Sequence, residues 1–491
     1  MTTSRPSARQ LIERLTDPGS FVSWDAVPKH GPIEEPYAAE LTAAAEKSGA
    51  DEAVLTGEAT VGGHRVALVV SEFGFLAGSI GRATADRIVA AVERATAAGL
   101  PLLGLPASGG TRMQEGTPAF VRMAGIAAAA AAHRAAGLPY LVFLRHPTTG
   151  GVMASWASLG HVTIAEPGAL VGFLGPKVYR ALEGEDFPAD VQTSENLHRH
   201  GIVDAVGTVD DFRDVVRRVL GVLRAAPRPG AGPALPEPVA PDAWDAITRT
   251  RQAGRPGVRE LLEHAASEVV ALHGSGVGET APGLVLALTV LAGAPCVVVG
   301  HDRSYAEASG PEALRVAARG MRLAAELRLP LVTVVDTRGA ALSVEAEEGA
   351  LAGHIARSIT DLVTLPTPTL CLLLGEGTGG GALALLPADR VLATEHAWLS
   401  PLPPEGASVI RHGDTSYAAA MARAQRVGVF ALRDAGIVDR IVPEDTDPAT
   451  FCRAVGAVLA EELAALGPVD LAARARRFLG APVALTALSA G

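Results

Sequence analysis

The chain carries a near-copy of its own middle, displaced by 229 positions. Leu100-Pro101-Leu102 recurs as Leu329-Pro330-Leu331, Gly110 as Gly339, and Pro139 as Pro368. Thr149-Gly150-Gly151 recurs as Thr378-Gly379-Gly380, and Glu166 as Glu395, with no gap across 100–170. The matches fall on Gly, Pro and aliphatic residues, which shape a backbone rather than a surface. A period of this length marks a duplicated domain and not a solenoid. Two copies of one backbone, each with glycine turns after apolar strands, predict two similar sites.

A chain of 491 residues predicts two to four domains, and 48% apolar residues suffice for two large cores. The net charge of −11 argues against nucleic-acid binding, which needs clustered Lys and Arg. Cys296, Cys371 and Cys452 are too far apart for a zinc ribbon or a disulfide framework, which points to a reducing, cytoplasmic setting. The N-terminal MTTSRPSARQLIERL has no apolar signal core. Thr280–Gly300 is uncharged and long enough to cross a bilayer. Its twin at 51–71 reads as two strands around a Gly-Gly turn, so the expected structure is a hairpin turning at Gly293-Ala294-Pro295, not a membrane span.

Residues 1–50 read as a helical, loop-rich lead-in and 54–70 as a hairpin. Helices are expected over Arg82–Ala98, over Arg112–Ala136 and from Gly150 to about Leu159, with strands at 100–105 and 138–144 and a closing segment at 161–173. This strand-helix alternation predicts parallel pairing. The Pro/Gly-rich stretch 226–243 is the expected linker, between an N-terminal domain 1–225 and a C-terminal domain 244–491. The second copy repeats the order, with strands at 284–299, 329–335 and 368–374 and a helical tail from 450.

Each copy places two glycine turns at the ends of neighbouring strands. In the first copy these are Gly109-Gly110-Thr111 and Gly150-Gly151; in the second, Gly339-Ala340 and Gly379-Gly380-Gly381-Ala382. A single Gly pair reads most simply as a tight turn. Four turns in matched register point to backbone N–H groups converging on a ligand oxygen, an oxyanion hole for an enolate or tetrahedral intermediate. Ser108, Thr111 and Thr148 lie near the turns without a triad-like context. Glu115 and Glu376 read as helix-terminus carboxylates or as a base. His146 and His301 are loop histidines, and no run reads as a metal site or a P-loop. Two oxyanion holes with little side-chain acid–base help suit enolate formation next to a thioester.

At these residues the chain resembles the carboxyltransferase component of biotin-dependent acyl-CoA carboxylases. The first half is similar to the bacterial beta subunit at LPASGGTRMQEG (105–116), HPTTGGVMASWASLGHVTIAEPGALVGFLGPKV (146–178) and SENLHRHGIVDAV (194–206). The second half is similar to the alpha subunit at VVDTRGA (334–340), AEEGALAGHIARSI (346–359), LGEGTGGGALAL (374–385) and PEGASVI (404–410). DPGSFVSWDAV (17–27) and FGFLAGSIG (73–81) resemble the single-chain propionyl-CoA type. The resemblance implies an α/β fold of two tandem crotonase-like ββα-spiral domains. It implies that carboxybiotin releases CO2, that the biotin enolate removes an acyl-CoA α proton, and that the acyl enolate captures the CO2. Gly150 and Gly151 would then hold the thioester carbonyl, lined by Gly109, Gly110 and Thr111. Gly380, Gly381 and Ala382 would hold the biotin ureido oxygen, lined by Gly339, Ala340 and Gly379. Arg112 and Lys177 would reach CoA phosphates or stand as solvated charges. A separate biotin carboxyl carrier protein, a biotin carboxylase and a dimer-based homo-oligomer, up to a hexamer, are also implied; no membrane, nucleic acid or metal is.

Two departures fall in the second copy. Arg338 in Asp336-Thr337-Arg338-Gly339-Ala340-Ala341 replaces the family's turn-fixing proline, and Ser400-Pro401-Leu402-Pro403-Pro404-Glu405-Gly406 carries an insertion in a Ser-Pro-Glu-Gly motif. The family's four-cysteine zinc ribbon is absent, as in single-chain relatives. The main expectation is a carboxyltransferase acting on a short acyl-CoA of the acetyl or propionyl type. A biotin-independent malonyl-thioester decarboxylase and a non-catalytic oligomerising paralogue stay open beside it. An enoyl-CoA hydratase would need acidic residues at the acyl turn, and none is evident.

Overall fold

A computed structural model describes residues 5–228, 230, 232–234 and 236–479. The chain forms two compact units: one runs to Gly221 and takes in Gly276–Gly278, and the other runs from Val222 to Ser275 and resumes at Glu279. Within the expected linker 226–243, residues 229, 231 and 235 lie outside the described residues, as do 1–4 of the lead-in and 480–491 of the tail.

The first unit is built on strands β1 (Val22–Ser23), β2 (Val54–Val61), β3 (His64–Ser71), β4 (Leu102–Leu105), β5 (Tyr140–Leu144), β6 (Thr148–Thr149), β7 (Val162–Ala165), β8 (Val171–Gly172) and β9 (Ala205–Val206). Its sheet runs β1-β2-β3-β4-β5-β7-β9, and β6 pairs with β8 apart from it. β1 to β3 are antiparallel; β3, β4, β5, β7 and β9 are parallel. Gly62 and Gly63, at φ 55° and 78°, make the two-residue turn between β2 and β3. β4, β5 and β7 are buried along their whole length, which explains their unbroken apolar sequence. The helix Arg82–Ala97 buries Ala83, Ala85, Ile88, Ala91, Val92 and Ala95, so small residues let it lie close to the sheet.

The second unit repeats this plan with β10 (Ala266–Leu272), β11 (Leu284–Leu291), β12 (Ala294–His301), β13 (Leu331–Thr337), β14 (Thr369–Thr378), β15 (Arg390–Thr394), β16 (Trp398–Ser400) and β17 (Arg440–Val442). The order is β10-β11-β12-β13-β14-β15-β17, with β16 paired to the end of β14. Leu102 faces Tyr140 in the first sheet and Leu331 faces Thr369 in the second, so the displacement of 229 holds in three dimensions. Thr280–Gly300 is the antiparallel hairpin of β11 and β12. Among the described residues no helix is long and apolar enough to cross a membrane.

Three expectations need correction. The second hairpin turns at Ala292-Gly293, with Ala294 and Pro295 already in β12, because Val61–His64 matches Leu291–Ala294 at a displacement of 230. The helix expected from Arg112 begins at Gly116, since Met113–Glu115 form a separate 3₁₀ turn. The helix expected from Gly150 to Leu159 is two short 3₁₀ turns, Gly150–Val152 and Trp156–Ser158, broken where Ser155 leaves helical geometry. The tail does fold as helices Pro448–Ala465 and Leu471–Phe478.

Cys296, Cys371 and Cys452 are free and buried, and burial pushes each thiol up to about 12. The fully buried Arg474 pins the entry to β14. Its guanidinium donates to Asp389 at 2.6–2.7 Å and to the carbonyls of Leu362, Leu365 and Thr367 at 2.8–2.9 Å. Arg474→Ala would take the charged partner from the Asp389 carboxylate, leaving it only the Thr369 N–H and hydroxyl, and would strip a donor from three carbonyls; it is expected to cost about 3 kcal/mol in urea unfolding.

Candidate functional site

In the first unit the β4 turn and the β6 turn touch. Gly110 takes φ 113° and Gly150 φ 66°, conformations that favour glycine. A β carbon on Gly150 would stand 3.0 Å from the Gly110 Cα. The Ser108 N–H donates to the Pro147 carbonyl at 2.7 Å and the Thr149 N–H to the Ser108 carbonyl at 3.0 Å, so backbone bonds tie the turns together. The fully buried Ser108 Oγ accepts the Gly110 N–H at 3.0 Å.

This accounting redistributes the expected roles. The Gly109 N–H donates to Ala77 at 3.0 Å and the Gly150 N–H to Phe173 at 2.8 Å. Gly109, Gly110 and Gly150 therefore shape the turn with their N–H groups committed. The N–H of Gly151 sits in the first turn of the 3₁₀ segment, where position leaves it no intrahelical acceptor, whereas Val152 is the first residue that can donate back to the N-cap Thr149 carbonyl. The isolated bridge from Ile80 aligns Thr111, whose hydroxyl lies 3.4 Å from a β carbon placed on Gly151.

Arg112 does not fit the expected CoA phosphate contact. Its side chain has no exposure, and it donates to Glu52, Tyr37, Thr84 and the Ser79 carbonyl. It anchors the turn from behind. Glu115 is likewise committed, to the Tyr37 hydroxyl at 2.6 Å and the Arg82 N–H at 2.7 Å, which removes it as a base. Lys177 stands exposed on the helix Pro176–Glu183.

The second unit repeats the contact with different partners. Gly339 takes φ 124°, and the Thr337 Oγ accepts its N–H at 3.1 Å, as Ser108 does for Gly110. A β carbon on Gly381 would lie 3.2 Å from both the Ala340 nitrogen and the Gly339 carbonyl carbon. Gly380 and Gly381 open the short helix Gly379–Leu383 with N–H groups that have no intrahelical acceptor, and Ala382 is the first residue to donate back, to the N-cap Thr378 carbonyl. Gly379 holds φ 62° with the Pro401 carbonyl 3.3 Å from where its β carbon would be, which brings the inserted 400–406 segment against this turn.

A charged rim lines a cavity of about 110 Å³ in the second unit, where Arg251 and Arg303, missed in sequence, join Asp336, Arg338, Glu376 and His301. The Arg303 guanidinium donates to Asp336 at 2.9 Å, and Arg251 donates to Glu376 at 3.3 Å and to Glu405 at 2.6 Å. Burial pushes the Asp336 and Glu376 carboxyls up despite these partners. His301 is buried and lowered to about 4, hence neutral. The register held a signal for this rim: the first copy has Ala107 and Pro147 where the second has Asp336 and Glu376. His146, by contrast, accepts the Leu170 N–H at 3.0 Å as a structural loop residue. Among the described residues no group of three or more His, Cys, Asp or Glu could hold a metal.

The profile of the carboxyl transferase domain matches residues 3–456. A Mycobacterium tuberculosis protein described as "Probable biotin-dependent acyl-coenzyme A carboxylase beta3 subunit" is 55% identical over 488 residues, 97% of this chain and 98% of that one. A Salinispora arenicola protein described as "Acetyl-coenzyme A carboxylase carboxyl transferase subunits beta/alpha" is 41% identical, over 97% of this chain and 90% of that one. The crystal structure of transcarboxylase 12S shares the fold with TM-score 0.77 at 22% identity, over 95% of this chain and 91% of that one.

Ser108 and Thr337 do the same work in separate units. Ser108→Ala and Thr337→Val should each cost about 1 kcal/mol by freeing a buried N–H, and the double variant should show near-additive loss in chemical denaturation.

Proposed function

The chain belongs to the carboxyl transferase domain family, and on that premise we propose that it moves a carboxyl group from carboxybiotin to the α carbon of a short acyl-CoA. The observation that carries this reading is the doubled contact between glycine turns, Gly110 on Gly150 and Gly339-Ala340 on Gly381. Each leaves helix-opening N–H groups on glycines, which add no side chain of their own.

In the first unit, the Gly151 N–H would donate to the thioester oxygen, where negative charge grows as the α proton leaves. One such donor is worth about 3 kcal/mol of barrier. In the second unit, the N–H groups of Gly380 and Gly381, with Ala382 beside them, would hold the ureido oxygen of biotin. Carboxybiotin, brought by a separate carrier protein and charged by a separate biotin carboxylase, supplies the carbon dioxide. The chain's own part is to bind, orient and stabilise charge with backbone donors, in keeping with the commitment of Glu115 elsewhere.

The exposed Met113, Phe120 and Val121 follow the first turn, and Leu342 and Val344 follow its counterpart. Apolar residues so placed suit burial between copies of the chain. A homo-oligomer, dimer-based and up to the hexamer named for transcarboxylase 12S, is the assembly we propose, with a cytoplasmic setting for the three free thiols.

A second reading, decarboxylation of a malonyl thioester without biotin, draws on the charged rim of the second turn. Incubation with malonyl-CoA separates the two. Consumption that depends on added free biotin supports carboxyl transfer; release of acetyl-CoA without biotin overturns it. Gly151→Val and Gly381→Val should each lower turnover about 100-fold. Their far-ultraviolet circular dichroism should match the parent protein.

A further inference from the structure

The duplication isolates one side chain. β4 and β13, like β5 and β14, correspond at a displacement of 229, so Arg338 stands where the first copy has Gly109. Both turns share the hydroxyl-to-N–H bond that shapes them, at Ser108 and at Thr337. Arg338 is thus an addition to a backbone that does not require it.

Its surroundings define what it can take. Arg338 is exposed, precedes Gly339 and lines the 110 Å³ cavity with Arg251, Arg303, Asp336 and Glu376. Arg303 is matched to Asp336 and Arg251 to Glu376 and Glu405. Arg338 makes no ion pair among the described residues, and it acts on Glu376 only through space. The cavity therefore has one uncommitted cation, at its rim, next to the turn that we read as the biotin side. A planar guanidinium in that position suits a carboxylate, which it can meet with two parallel N–H donors.

We propose that Arg338 reads the carboxylate of N-carboxybiotin, and so distinguishes the loaded carrier from the discharged one. This rests on the biotin reading of the second turn. Loaded and discharged biotin share the ureido ring that the glycine N–H groups address. They differ by a single carboxylate, and Arg338 is the group placed to sense it. Loss of that carboxylate would weaken the hold on the product and favour its release.

The test is equilibrium binding to the full chain, by isothermal titration calorimetry, of two stable probes: biotinamide, which is neutral, and N1′-carboxymethyl biotinamide, which keeps an anion near the carboxyl position. The charged probe should bind the unaltered protein about tenfold more tightly, with a preference that shrinks as salt rises. Arg338→Gln should abolish the preference while leaving biotinamide affinity unchanged, and Arg338→Lys should restore part of it. Equal affinities in the unaltered protein, or an unchanged preference in Arg338→Gln, would overturn the role of Arg338 and leave the biotin reading intact. Failure of both probes to bind would overturn the biotin reading and the role of Arg338 with it.

Discussion

Two pieces of backbone meet in each unit at a distance that would crowd a β carbon. Gly110 presses on Gly150 in the first and Gly339-Ala340 on Gly381 in the second. The neighbouring parts serve this contact. Ser108 and Thr337 each cap one turn by accepting its N–H, and Pro147 and Phe173 carbonyls hold the first pair in place. Arg112 braces the segment behind the first turn and Arg474 the entry to β14, each with a buried guanidinium that carries several bonds. The N–H groups left over are few and aimed by the fold, which is the condition for stabilising charge without reorganisation.

The two copies share this frame and differ in what surrounds it. The first turn is bordered by Ala107, Gly109 and Pro147, none of which adds charge. The corresponding positions of the second are Asp336, Arg338 and Glu376, and Arg251 and Arg303 join them. Gly375 shows how tightly this was fitted, because a β carbon there would lie 2.5 Å from an Asp336 carboxylate oxygen. On the proposed reading a duplicated backbone would address two ligands: a thioester carbonyl needs only donors, whereas a ureido group that gains and loses a carboxylate gives a nearby cation something to read.

Much of the frame was legible in the sequence, because glycine and proline report backbone geometry directly. The alternation of strands and helices, the matched register and the positions of all four turns follow from the repeat. What was hidden concerned hydrogen-bond partners and side chains distant along the chain. The Gly150 N–H looks available until Phe173, 23 residues later, is seen to occupy it. Arg112 looks like a surface cation until Glu52 and Tyr37, from the lead-in region, enclose it. Arg251 reaches Glu376 from a segment 125 residues earlier, a separation over which no local pattern exists. The short 3₁₀ turns after Gly150 escaped because Ala, Met and Trp there are ordinary helix residues, and only the tertiary setting at Ser155 breaks the run.

The central claim is that the first copy holds the acyl thioester with backbone donors at Gly151. Isotope-edited infrared spectroscopy of bound acyl-CoA, labelled with carbon-13 at the thioester carbonyl, addresses it without turnover. The carbonyl band should fall below its position in water when the ligand binds. That shift should vanish in Gly151→Val and persist in Gly381→Val. A band at the solution frequency, or a shift lost in Gly381→Val and kept in Gly151→Val, would contradict the assignment.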